Sequence, residues 1–237
     1  MEYFLERYPS TPLEKGENIL ILTKVYCKMI ATSIPAEQRT VLQNISWETF
    51  ETLLAETGEH RGSRFAYECG ILEIMSPLIE HESYKSTFGN LVIVLAEELG
   101  IEIKSAGSTT LKLKSANRGI EPDNCYYIQN ELAFRGKQTL NLSIDLPPNL
   151  AIEIDITSTS INKLEIYASL DVPEIWIYNG RILQFYQLIE KQYVQIEFSC
   201  AFPLVSATEI NQFLEQSKTI GEIALIKLFR TWVRNKV

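Results

Sequence analysis

Two carboxylates on one face of an alternating strand are the most informative pattern in this chain. Residues 150–156 read LAIEIDI, so the aliphatic side chains point to one side and Glu153 and Asp155 to the other. The two carboxylates would lie about 7 Å apart. Taken alone, such a pattern is more typical of an antiparallel strand with one wetted face than of a site.

An aspartate and a lysine add the groups that a site would need. Asp123 follows Pro122 at the start of another predicted strand, and Lys163 falls in the first turns of a helix predicted from about residue 160 to residue 170. Carboxylate oxygens hold Mg²⁺, the metal activates a water and polarises a phosphate, and a nearby cation steadies the developing charge. Separately, Pro-Asp is a common turn dipeptide, and a helical lysine is usually solvated. Together these residue types indicate metal-assisted phosphodiester hydrolysis.

Periodicity predicts the elements that must carry these residues. Ser46 is expected to cap a helix that ends before Gly58, and a longer helix is expected from about residue 79 to Gly100. Residues 64–75 are expected to form a pair of strands around Gly70.

Two glycine-containing dipeptides predict hairpins. Gly107-Ser108 separates two short strands at 101–106 and 109–113. Asn179-Gly180 is the strongest short signal, since both residues tolerate the positive φ angles of a type I′ turn.

The composition describes a folded chain with an acidic balance. The chain has 237 residues, 46% of them hydrophobic and 22% charged, with a net charge of -8. This excludes a disordered or collagen-like chain. It also argues against a protein that coats nucleic acid by bulk electrostatics, but not against a nuclease whose bound cations offset its own carboxylates.

Cysteine spacing and hydropathy bear on the cellular compartment. The four cysteines form no Cys-x-x-Cys pair, so reduced thiols are the expected state. The most apolar early stretch, residues 19–34, is interrupted by two lysines and is too short to span a membrane. We therefore predict a cytoplasmic protein with no membrane partner.

The N-terminal part differs from the rest of the chain. Residues 1–43 show no sustained period and contain Pro9, Pro12 and Pro35, so they are interpreted as an extension of unclear order and are assigned no function. Residues 44–237 are predicted to form a single domain.

Several ordered motifs resemble one known family. They are Ser46-Trp47-Glu48-x-Phe50, Gly70-x-Leu72, Ser76-Pro77 with Glu80-His81, Pro122-Asp123, Ile152-Glu153-Ile154-Asp155, Lys163-Leu164-x-x-Tyr167-Ala168 and Val172-Pro173-Glu174-Ile175-Trp176. From Ser46 to Leu188 the chain resembles the Uma2 family of restriction endonuclease-like proteins, which is abundant in cyanobacteria and assigned to the PD-(D/E)xK nuclease superfamily. The final segment, 229–234, looks like the tail of a cyanobacterial subgroup.

The resemblance implies a fold and a set of site residues. The fold is α/β (α+β), with a mixed central sheet flanked by helices. Asp123 and Glu153 would bind Mg²⁺ or Mn²⁺, and Lys163 would be the catalytic lysine. The nuclease pattern places its lysine two residues after the acid, where this chain has Asp155, so Lys163 would have to reach back from the helix. Asp155 is then either a third metal ligand or a charge partner that orients Lys163.

Two residues at the start of the long helix have weaker roles. Glu80 is a candidate for the acid that nucleases of this superfamily often bring to the metal from an early helix. It is equally an acid placed favourably at a helix N-terminus. His81 is interpreted as a structural hydrogen-bonding group, since no second histidine lies near it in the sequence.

The sequence leaves two functions open, an enzyme and a binding module. The first is a Mg²⁺-dependent DNA endonuclease in which a metal-bound water attacks phosphorus and Lys163 supports the attack; many such enzymes dimerise to cut two strands, so a homodimer is one expectation. The second is a catalytically weak or inactive module of the same fold that binds nucleic acid or a protein. The acidic charge and the missing lysine at position 155 motivate the second function.

Overall fold

The computed structural model describes residues 38–58 and 61–237, which lie within one compact unit. The predicted extension therefore lies largely outside the described residues. Its last part, Gln38–Leu42, forms a strand that pairs with a later one, which the sequence pattern did not predict.

The described residues form six α-helices and eleven strands. The helices are α1 (Trp47–Thr57), α2 (Ile79–Leu99), α3 (Glu131–Phe134), α4 (Lys163–Ser169), α5 (Ala207–Gln216) and α6 (Glu222–Arg234), and a 3-10 helix spans Lys114–Ala116. The strands are β1 (Gln38–Leu42), β2 (Arg64–Glu68), β3 (Ile71–Ser76), β4 (Lys104–Ser105), β5 (Leu111–Leu113), β6 (Arg118–Ile120), β7 (Asn124–Tyr127), β8 (Leu150–Ile154), β9 (Glu174–Tyr178), β10 (Leu183–Ile189) and β11 (Gln192–Ile196). None of these helices is long and apolar enough to cross a membrane.

A five-stranded sheet has the order β1-β3-β2-β6-β5, and all its neighbours are antiparallel. The predicted strand pair around Gly70 is confirmed as β2 and β3. Helix α1 packs on this sheet through Trp47 and Phe50. Ser46 caps that helix as predicted, because its hydroxyl accepts the N–H of Thr49.

A six-stranded sheet has the order β11-β10-β9-β8-β7-β4. It is mixed, since β8 and β9 run parallel while its other pairs are antiparallel. The predicted mixed sheet with flanking helices is therefore confirmed, and the five-stranded sheet accompanies it.

Both faces of β8 are covered, so this strand is not the half-wetted strand that such an alternating pattern more often forms. Leu150, Ile152 and Ile154 enter a core that also holds buried residues of α2, α5 and α6. On the opposite face, Ala151 packs in a second core with buried residues of α4. Each buried isoleucine stabilises the fold by about 1.5–3 kcal/mol relative to an exposed one. Polar side chains on the second face are buried with it.

Of the two predicted hairpins, the one at Gly107-Ser108 is not formed, whereas the one at Asn179-Gly180 is confirmed with a different turn. The strands around Gly107-Ser108 pair with different partners, because β4 joins β7 in one sheet while β5 joins β6 in the other. The Asn179-Gly180 segment does connect β9 to β10, but through a four-residue loop in which only Gly180 of the two has a positive φ, 85°. The Asn179 side chain accepts the N–H groups of Arg181 and Ile182, which is the alternative that asparagine offers in turns.

Candidate active site

Asp123 and Glu153 lie opposite each other on neighbouring strands. Strands β7 and β8 are antiparallel with Asn124 opposite Ile152, so the next position along the ladder sets Asp123 against Glu153. The N–H of Asp123 continues this ladder by donating to the carbonyl of Ile152 at 3.2 Å. Directly opposed residues of an antiparallel pair share one face. Both carboxylates are almost completely buried and line the same small cavity.

Lys163 reaches this pair from the start of α4. The side chain of Asn162 caps the helix by accepting the N–H of Glu165, which makes Lys163 the first helical residue. The Lys163 Nζ lies 2.5 Å from Oε2 of Glu153 and 2.6 Å from Oδ1 of Asp155. The lysine side chain is 9% exposed, so the usual solvated position of a helical lysine does not apply here.

Tyr167 supplies a further contact from the next turn of α4. It lies four residues after Lys163, so both side chains project from the same side of the helix. Its hydroxyl donates to Oε1 of Glu153. Each oxygen of the Glu153 carboxylate therefore has its own partner from α4, and the orientation of the carboxylate is set.

Asp123 is held from two directions. Its Oδ2 accepts the backbone N–H of Ile154 at 2.8 Å. Its Oδ1 lies 3.1 Å from Nε2 of His81, which is fully buried on α2. The contact agrees with a hydrogen-bonding role for His81. The neighbouring Glu80 is exposed and does not line the cavity, so the structure does not bring it to the other predicted site residues.

Burial and neighbouring charges shift the pKa values of Glu153, Asp123 and Lys163 in different directions. Burial raises the pKa of Glu153 to about 7, and the attraction of the Lys163 ammonium only partly opposes this rise. Burial also acts to raise the pKa of Asp123, but the hydrogen bond and charge of His81, the charge of Lys163 and the N–H of Ile154 together outweigh it, so that pKa is lowered. Burial acts to lower the pKa of Lys163, but Asp155 and the other two carboxylates raise it overall. The site thus joins a permanent cation to two acids of different strength.

Arg39 and Glu73, both on the five-stranded sheet, form an ion pair that also contacts Asp155 after β8 and the loop before α4. Arg39 on β1 lies 2.6 Å from Glu73 on β3 and 3.7 Å from Oδ1 of Asp155. Glu73 also accepts the N–H of Ser160 at 2.7 Å. Sequence reasoning missed both residues, because Arg39 was assigned to the extension and only the β1–β3 pairing brings the two together.

The cavity itself is small, about 10 Å³, which is close to the space that one water requires. It is lined by Arg39, Arg64, Phe65, Ala66, Glu73, Met75, Ile120, Glu121, Asp123, Glu153 and Lys163. Arg64 and Glu121 were also missed by sequence reasoning. Glu121 stands two residues before Asp123 and could have been found by the alternation of an extended segment.

The carboxylates of the site do not form a cluster that could hold a metal wholly by protein. Within residues 38–58 and 61–237, no group of three or more His, Cys, Asp or Glu side chains is arranged to hold a metal. Mg²⁺ usually takes only one or two carboxylates and completes its shell with waters and substrate phosphates. Asp123 and Glu153 match that requirement. The contacts of Asp155 are with Lys163 and Arg39 instead.

Comparisons with known proteins bear on the same region. Residues 47–218 match the family model described as "Uma2: Putative restriction endonuclease". No curated protein matches the chain. The matched range contains Asp123, Glu153, Asp155 and Lys163, whereas β1 with Arg39 precedes it.

Proposed function

The chain belongs to the Uma2 family of restriction endonuclease-like proteins, and from this premise we propose that it hydrolyses phosphodiester bonds of DNA in a Mg²⁺-dependent reaction. One observation carries the proposal. Asp123 and Glu153 face a single cavity, and the ammonium of Lys163 lies 2.5 Å from Glu153. Two hard ligands and one cation are the groups that such a reaction requires.

Each residue has a role that follows from its contacts. Asp123 and Glu153 would hold the ion, which supplies Lewis-acid polarisation of the phosphate and a lowered pKa for a water. Lys163 brings a fixed positive charge to the position where negative charge develops on the phosphate oxygens. Tyr167 and His81 position the two carboxylates by direct contact with Glu153 and Asp123.

We further propose that the site is a rearranged PD-(D/E)xK site. In that pattern the lysine stands two residues after the acid, on the same strand. Here Asp155 occupies this position, and the lysine comes from α4 instead. The contacts of Lys163 with both Glu153 and Asp155 support this assignment. The role that we assign to Asp155 is to hold the lysine amine beside Glu153.

The proposal is tested by cleavage assays on plasmid and linear DNA with Mg²⁺ or Mn²⁺. We expect cleavage by the wild type and none above background by Asp123→Asn or Glu153→Gln. The matched control is Glu197→Gln, which removes an exposed carboxylate outside the cavity and should leave cleavage unchanged. Thermal unfolding of each variant shows that the fold is kept. Undiminished cleavage by both site variants would remove the assignment.

A second candidate is a module of the same fold that binds DNA without cutting it. It is favoured by the closure of the site, since all four oxygens of Asp123 and Glu153 already contact internal partners. Titration with Mn²⁺ separates the two functions. The enzyme must bind Mn²⁺ through Asp123 and Glu153, whereas a binding module would show no affinity that depends on them.

A further inference from the structure

Arg64 stands where the catalytic cavity meets a much larger cleft. It is the first residue of β2 and lines both spaces, as Glu121 does. The cleft has a volume of about 830 Å³, within the range of roughly 300–1,000 Å³ that is usual for ligand sites. It is the larger space through which a substrate could approach Asp123 and Glu153.

Arg64 differs from the other cations that line the two spaces. The others each contact a carboxylate: Arg39 with Glu73, Arg61 with Glu121, Lys112 with Glu51, and Lys163 with Glu153 and Asp155. Among the described residues, Arg64 has no carboxylate partner. Its Nη1 donates only to the carbonyl of Ser63 at 3.5 Å, and its buried Nε has no hydrogen-bond partner there.

A guanidinium in this state is suited to an anionic ligand. Partly buried charge without a counter-ion is unfavourable, and the planar guanidinium can donate two parallel hydrogen bonds to one phosphate. Among the residues that the structure describes, the cleft lining carries three cations, Arg61, Arg64 and Lys112, against the two carboxylates of Glu51 and Glu121. Counted over these residues, the lining is positive in a chain whose net charge is -8, and Arg64 is its one cation with no carboxylate partner among them.

We propose that Arg64 binds a backbone phosphate of DNA and that the cleft is the path of the DNA strand to the carboxylates. The proposal rests on the proposed function for the identity of the substrate. It adds a phosphate-binding residue contributed by the five-stranded sheet, whereas Glu153 and Lys163 belong to the six-stranded sheet and its helix α4.

The test measures DNA binding without catalysis. A fluorescent DNA duplex is titrated with wild type, Arg64→Gln, Arg64→Lys and Arg234→Gln in EDTA at several salt concentrations. Arg234 is the matched control, because it is an exposed arginine whose partner Glu98 lies about 26 Å along α2 from His81. We expect Arg64→Gln to weaken binding roughly tenfold or more and to lower the slope of log K against log salt by about 0.9.

Two features separate a phosphate contact from a structural effect. Arg64→Lys should restore the salt slope while recovering only part of the affinity, since lysine keeps the charge but not the paired donors. Arg234→Gln should leave the slope unchanged. Wild-type affinity and slope in Arg64→Gln would overturn the proposal, as would equal losses in Arg64→Gln and Arg234→Gln, or no binding of the duplex by the wild type.

Failure of this inference can be told from failure of the proposed function. Because the binding assay contains no metal, it does not depend on cleavage. Metal-dependent cleavage with normal DNA binding by Arg64→Gln would refute the role of Arg64 alone. Arg64-dependent binding without any cleavage by the wild type would refute the nuclease and leave the phosphate contact in place.

Discussion

The Nζ of Lys163 lies 2.5 Å from Oε2 of Glu153, although the two residues belong to different elements. The helix that carries the lysine begins at that residue and packs on the face of the sheet where Glu153 is buried. A lysine at the first position of a helix can thus contact an acid on a strand that ended nine residues earlier, at Ile154. The ammonium therefore comes from α4, and the residue two positions after Glu153 is the acid Asp155, which contacts the same lysine.

Lys163→Met should abolish cleavage and lower the free energy of unfolding. The substitution keeps most of the side-chain volume but leaves Glu153 and Asp155 without their shared cation. Removing one partner of a buried ion pair typically costs about 3–5 kcal/mol. Urea unfolding measures the loss, and a DNA cleavage assay follows the activity.

A control and a double variant make this result specific. Lys191→Met removes an exposed lysine paired with Asp171, and exposed pairs contribute about 0–1 kcal/mol. Adding Asp155→Asn to Lys163→Met should recover part of the lost stability, because without the lysine the partly buried Asp155 keeps only its 3.7 Å contact with Arg39. Equal destabilisation by the two lysine substitutions would contradict the buried network.

The metal-free protein should lose stability as the pH rises from about 4.5 to about 7. Burial raises the pKa of Glu153 from its usual 4.5 to about 7, so in this window the native state binds the proton that the unfolded state has released. Stability therefore falls with rising pH, by about 1.4 kcal/mol for each unit of pKa difference. Urea unfolding in EDTA across this range measures the effect.

Glu153→Gln should remove this part of the pH dependence, since glutamine does not titrate. Asp123 acts outside the window, because its lowered pKa gives stability that is lost only as the pH falls below its usual 3.8. Glu197→Gln is the matched exposed control. If wild type and Glu153→Gln keep parallel stability curves between pH 4.5 and 7, the raised pKa of Glu153 is wrong.

The sequence predicted the elements of the site better than its surroundings. Strict alternation placed Glu153 and Asp155 on one face, and the helix predicted from about residue 160 placed Lys163 in its first turns. These are local relationships, which the period of a strand or helix determines. The burial of that face could not be seen, since it depends on α4 and the five-stranded sheet packing against it.

The remaining errors concern pairing between distant segments. Arg39 was assigned to the extension because β1 acquires its place only from β3, more than thirty residues later. Gly107-Ser108 has the composition of a hairpin, yet its flanking strands join different sheets. The two-residue turn in the meander is instead Glu190-Lys191, where both φ angles are positive, although neither residue type favours them. Tertiary contacts overrode local preference at each of these positions.

Gly119→Ala should destabilise the five-stranded sheet. A Cβ at this position would lie 3.0 Å from two ring atoms of Phe50 and 3.1 Å from Cβ of Lys112. Phe50 is fully buried and stacks on Tyr67, so the ring has little room to move. We expect a loss of about 1–3 kcal/mol, measured by urea unfolding. Gly62→Ala is the control, because an added Cβ there meets nothing within 4 Å; equal effects would contradict this packing.

Asp155→Asn should separate the two roles left open for this residue. If Asp155 orients Lys163, as the 2.6 Å contact supports, the variant keeps its Mn²⁺ affinity while cleavage falls by about 10- to 100-fold, which is typical when a supporting contact of a metal site is lost. Mn²⁺ titration and the cleavage rate measure the two effects on one protein sample. Asp123→Asn is the comparison, because it should lose both. A loss of Mn²⁺ affinity in Asp155→Asn as large as in Asp123→Asn would make Asp155 a metal ligand, since an orienting residue leaves the ion's own oxygen ligands in place.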